Sequence, residues 1–129
     1  MRAEAQLHLN RAAELLDVAR ENLEHGHPAD SVSRAYYAMF HAATAVLLER
    51  GIERSSHGAL ISAFSEYIVK PGLLDKRYHA SLRRAFDERS DSDYFASPRG
   101  TPDDAREMIL EAEEFVAACD RLVRGPERA

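Results

Sequence analysis

Between Asp30 and Arg50 the chain carries a stretch that can satisfy only one kind of fold. Plotted at about 100° per residue, Val32, Tyr36, Met39, Phe40, Ala43, Val46 and Leu47 form one wide apolar face. The opposite face, Arg34, Tyr37, Ala38, His41, Thr44, Ala45 and Leu48, is small or apolar apart from an arginine and a histidine. A helix that is apolar nearly all round is buried on more than one side. It therefore predicts a helix whose second face meets another helix of the bundle or a second subunit. Alanines at 38, 42 and 45 would let the covering backbone come close.

The surrounding pattern agrees. Leu9, Ala12, Leu16, Ala19 and Leu23 recur at helical spacing from about Ala3 to His25, and Gly26-His27-Pro28 ends that segment. Gly51 stops the second segment. Ser55 or Ser56 caps a third through Leu60, Ile61, Phe64 and Ile68, which Lys70-Pro71-Gly72 breaks. Asp75 opens a fourth with Tyr78, Leu82, Ala85 and Phe86, and the polar run from Ser90 to Gly100 reads as a loop. Thr101, Pro102 and Asp104 carry the signature of a capped fifth helix, whose stripe runs Met108, Ala112, Phe115, Cys119 and Leu122. The expectation is one domain over 1–129, all-α, an up-down bundle of four main helices with an additional helix among five segments.

Composition narrows the function classes. A net charge of −5 argues against coating nucleic acid by bulk electrostatics, though it leaves room for a local basic cleft. Fifteen of the 17 basic residues are arginine, which suits bidentate phosphate contacts. No run of apolar residues is long enough to cross a membrane, the first residues lack the apolar core of a signal peptide, and the single Cys119 fits a reducing cytoplasm and a core position. His25 and His27, near Glu24 and Asp30, straddle a helix end and do not make a metal site; no metal and no cofactor is expected. No phosphate-binding glycine loop or nucleophile elbow is present.

Three elements in order carry a resemblance: Ser33-Arg34-Ala35-Tyr36-Tyr37-Ala38-Met39-Phe40-His41 in the second segment, Ser56-His57-Gly58-Ala59-Leu60 at the start of the third, and Arg89-Ser90-Asp91-Ser92-Asp93-Tyr94. Together they resemble the HEPN domain family of prokaryotes, over about Leu7 to Leu122. His57, Asp93 and Tyr94 match the family's motif positions. The resemblance implies a helical bundle, commonly a homodimer, often the toxin-type member of a toxin–antitoxin or defence pair. It implies RNA or nucleotide at the dimer cleft and a minimal nucleotidyltransferase antitoxin as partner. Many members are metal-independent ribonucleases using Arg, four to six residues, then His. Here the arginine at that place is Arg89, and no histidine follows it, so the usual ribonuclease element is not intact. With 15 Arg and six His, other matches to the spacing arise by chance.

The candidate catalytic residues are then Arg34, His41 and Arg89, with Arg34, Tyr37 and Arg89 as RNA or nucleotide contacts. The bland alternative makes Tyr37 and His41 satisfied packing groups and pairs Arg34 with an acid. For the third element the alternatives are an Arg89–Asp93 ion pair with Tyr94 packed down, or Arg89 on phosphate and Tyr94 presented for adenylylation by the partner. The competing function is a non-catalytic helical module that acts through protein contacts.

Overall fold

The computed structural model describes residues 1–94 and 100–125, with side chains described outside 92–94. Five α-helices follow one another: α1 Ala3–Glu24, α2 Pro28–Glu49, α3 His57–Phe64, α4 Lys76–Tyr94 and α5 Pro102–Arg124. No strand occurs among the described residues. The fold class expected from periodicity is the one observed.

The helix ends are set by local chemistry. Gly26, at φ +83°, takes a backbone conformation that side-chain-bearing residues avoid, and Pro28 then starts α2 where its missing N–H is not needed. At the head of α5 the Thr101 hydroxyl accepts from the Asp104 amide at 3.1 Å, and the Asp104 carboxylate accepts from the Thr101 amide at 3.3 Å. This is the capping box read from the sequence.

Cross-helix contacts fix the directions. Arg2 donates to Glu49 and to the Leu48 carbonyl, His8 meets His41, and the Ser31 hydroxyl donates to the Ala19 carbonyl, so α1 and α2 are antiparallel. Arg20 pairs with Glu113 and Arg124 reaches Gln6, so α5 is antiparallel to α1; Arg77 and Ser81 reach Glu114 and Glu111, so α4 is antiparallel to α5. The four long helices alternate in direction, as an up-down bundle requires.

The second helix is the axle. It packs on α1, α5, α4 and α3, and Ala35, Ala38, Ala42, Ala43 and Ala45 are all fully buried. Much of its second face, including Leu48, is thus covered by the chain's own helices, while Tyr37, His41 and Thr44 keep partial exposure. Phe40 departs from the expected core face: it is half-buried at the edge. Cys119 lies in the core, and burial pushes its thiol pKa up, which keeps it inert.

Two segment boundaries differ from the sequence reading. The third segment is α-helical only to Phe64 and then widens into a π turn, Ser65–Val69, closed by Lys70 N–H donating to the Ser65 carbonyl at 2.9 Å. The run from Ser90 to Tyr94 belongs to α4. Serine and aspartate are polar without being breakers, and the exposed end of a helix accommodates them; the polar composition had been read as loop.

Candidate functional site

The informative geometry lies where α2, α3 and α4 meet. Ser56 caps α3, its hydroxyl accepting from the Ala59 amide at 3.1 Å, and this fixes His57 as the first residue of that helix. From there the imidazole packs on Phe40, ring centres 4.7 Å apart, and Nδ1 shares a hydrogen bond of 2.5 Å with the Tyr36 hydroxyl. Phe86 of α4 closes the cluster at 5.7 Å from the His57 ring.

One turn beyond Phe86, Arg89 carries its guanidinium across three rings: 5.3 Å from the centre of Tyr36, 5.6 Å from Tyr37 and 5.5 Å from Phe86. Each distance is within cation–π range. Arg77 and Arg83 of the same helix also lie over rings, 4.5 Å from the centre of Tyr78 and 5.9 Å from that of Phe86. Arg77, Arg83 and Arg84 pair with Glu114, Asp87 and Glu88, the solvated charge pattern expected of that face.

The electrostatics follow from burial and this cation. Desolvation, helped by the Arg89 charge, lowers the His57 pKa below its ordinary value, so the imidazole is neutral at pH 7. Burial pushes the Tyr36 phenol well up, against the pull of Arg89, so Tyr36 keeps its proton. The hydroxyl can accept from His57 Nδ1–H or donate to bare Nδ1. The first arrangement leaves the other ring nitrogen of His57 as a base; the second makes it a donor.

The sequence-derived candidates therefore separate. Arg89 and Tyr37 come together, with His57 between them and Phe40. His41 lies on the other flank of Phe40, against α1, where its Nδ1 is 2.9 Å from Nδ1 of His8. Burial lowers the pKa of both imidazoles, with His8 and Arg11 adding to the effect at His41 and Glu4 opposing it at His8. Arg34 is exposed and makes no ion pair among the described residues. Asp93 and Tyr94 lie in the last turn of α4, and their side chains fall outside the described residues.

Sequence reasoning left His57 as a helix-start residue and passed over Tyr36 and His8. For Tyr36 and His57 the signal was their membership of two of the three motif elements; for His8 there was none. Among the described residues no three His, Cys, Asp or Glu side chains converge as a metal cluster, and no helix is long and apolar enough to cross a membrane.

A family model for the HEPN domain matches residues 5–122. A UPF0332 protein of Archaeoglobus fulgidus is 37% identical over 120 residues, covering 93% of this chain and 95% of its own. Another, from Thermotoga maritima, is 32% identical over 119 residues, with 92% and 90% covered. A Methanocaldococcus jannaschii protein whose name proposes a toxin is 34% identical over 116 residues, with 90% and 86% covered.

Proposed function

The chain belongs to the HEPN domain family, and from that premise we propose that it is a toxin-like HEPN protein that binds RNA or nucleotide phosphate at Arg89. The observation that carries this reading is the Arg89 guanidinium laid across Tyr36, Tyr37 and Phe86 beside a neutral His57. Rings hold the guanidinium plane in place, and a guanidinium offers paired N–H donors that match phosphate oxygens. Tyr37 keeps partial exposure and Arg34 is on the surface, so both extend the contact along α2. Two of the relatives are named as proposed toxins, which points the same way.

This site also offers an imidazole that the chain order after Arg89 lacks. His57, held by Tyr36, stands next to the arginine in space although it precedes it in sequence. On RNA, a neutral His57 would take the proton of a ribose 2′-hydroxyl as that oxygen attacks the adjacent phosphorus. The 5′-oxygen then departs with a proton from water, leaving a cyclic phosphate, and Arg89 offsets the charge that builds on the phosphoryl oxygens. His41, bonded to His8, is assigned no role in that step. In a homodimer each copy would carry its own Arg34, Tyr37 and Arg89. A nucleotidyltransferase partner would act on Tyr94.

Fluorescence anisotropy with a labelled RNA and with ATP tests the binding. Wild type is expected to bind, and Arg89→Ala to weaken binding about tenfold or more, the scale of one charge-assisted phosphate contact at about 1.5–3 kcal/mol. Equal binding by both proteins removes Arg89 from the site. Incubation with RNA in chelating buffer tests cleavage separately, with loss in His57→Asn expected. A second reading, the protein-contact module, is favoured by a groove of about 650 Å³ between α1 and α5, rimmed by Leu23, Pro102, Ile109 and the 64% exposed Leu110.

A further inference from the structure

His8 and His41 take no part in the phosphate site. Their contact joins α1 to α2 at the edge of a cleft of about 450 Å³, lined among others by Glu4, His8, Thr44, Leu48 and Glu53. The ring planes are 26° apart and the ring centres 5.2 Å apart, with 2.9 Å between the two Nδ1 atoms. The difference is two ring radii, so both nitrogens lie on the line joining the centres and the hydrogen bond is straight.

A straight bond between two imidazoles dictates how the pair takes up protons. While both rings are neutral, one Nδ1 carries the hydrogen and the other accepts it, which leaves the donor ring with a bare Nε2. A first added proton goes to that Nε2. The donor becomes an imidazolium, and its charge strengthens the bond to the neutral partner. A second proton has only the accepting Nδ1 left to take it. Two N–H groups then face each other on two like charges, and the contact is lost.

The surroundings hold the rings in place without supplying a counter-charge in contact. Both are half-buried, and burial lowers both pKa values. On α1, Glu4 favours the charge of His8, while Arg11, paired with Glu14 at 3.1 Å, opposes that of His41. Within one turn of His41, α2 offers only Tyr37, Ala38, Thr44 and Ala45. Past the end of α2, Arg54 donates to the Glu53 carbonyl at 2.6 Å, and Arg2 donates to the Leu48 carbonyl. From α5, Arg124 is tied to Asp120 and reaches Gln6. Among the described residues no carboxylate is hydrogen-bonded to either imidazole.

We propose that the His8–His41 bond is an acid-released clasp between α1 and α2, closed in the neutral and singly protonated pair and opened by the second proton. Release frees the His8 ring at the edge of the cleft, where Glu4 and Glu53 offset its charge. Histidine of the unfolded chain titrates at 6.5, and the folded pair takes its second proton below that value. The stability that the clasp contributes is therefore fully present above pH 6.5 and lost as the pH falls through the second step.

Imidazole nitrogen NMR on the ¹⁵N-labelled full chain tests this without any substitution. Nitrogen–nitrogen coupling across an N–H···N bond should join His8 Nδ1 to His41 Nδ1 at neutral pH, persist after the first proton and vanish with the second. In His8→Gln and in His41→Gln the remaining imidazole should titrate in a single step, above the second step of the pair, with circular dichroism showing both variants still helical. His57 should titrate alike in all three proteins. Absence of the coupling at neutral pH overturns the clasp. So does coupling that survives the second proton, or a titration of either histidine that is unchanged when the other is replaced.

Discussion

Two histidines lean on the same phenylalanine from opposite flanks, and their neighbours give them different chemistry. His57 packs on Phe40 with a phenol on its Nδ1 and a guanidinium across the adjoining rings. His41 packs on Phe40 with a second imidazole on its Nδ1. Both pKa values are lowered, for reasons that differ after burial: a fixed cation in one case, another imidazole and Arg11 in the other. Each has an arginine within electrostatic reach: Arg89 across the rings beside His57, and Arg11, paired with Glu14, near His41. Residue type and motif membership did not distinguish them; the neighbours do.

The contrast breaks most readily at Tyr36, whose ring supports both Arg89 and His57 while leaving His41 alone. Tyr36 is fully buried. Tyr36→Ala is therefore expected to cost about 3–5 kcal/mol in chemical denaturation, the range for emptying a buried aromatic site, against under about 1 kcal/mol for His41→Gln at its half-exposed position. Comparable losses in the two variants would erase the distinction. Arg89→Ala comes next. Removing the cation should raise the His57 pKa, since that charge helps to lower it, and leave His41 unmoved; imidazole proton NMR against pH reads both. Tyr36→Phe keeps the ring and deletes the hydroxyl, so stability should fall by about 1 kcal/mol, one net hydrogen bond, with the Arg89 contact retained.

The smallest effect concerns pH. His57 binds its proton less readily folded than unfolded, where the value is 6.5. The unfolded chain thus holds more protons between the lowered pKa and 6.5, and stability rises with pH across that window. Below it the penalty is complete; above 6.5 the full stability is present. Denaturation midpoints from pH 5 to 8 should show a shallower slope in His57→Asn than in wild type.

How much of this could be read from the sequence follows from what each signal encodes. Helical periodicity is local, so α1, α2 and α5 emerged within a residue or two of their observed bounds, and the Thr101–Asp104 box did so to the residue. The all-round apolar character of α2 foretold that both faces are covered but not by what, which turned out to be mainly the chain's own helices. Polarity misled at Ser90–Tyr94, where helix continues. For the site, spacing along the chain carried no information on Arg89 and His57, which share the rings of Tyr36 and Phe86 although His57 precedes Arg89 and belongs to another helix. Neither that convergence nor the His8–His41 contact leaves a trace in residue spacing, because each joins segments brought together only by packing.

The most direct measurement is side-chain NMR of the imidazole and guanidinium groups while a short RNA is titrated into the protein. If Arg89 and His57 form the phosphate site, their resonances shift with saturation while those of His8 and His41 stay in place. Shifts at His8 and His41 with Arg89 and His57 unmoved would contradict the account.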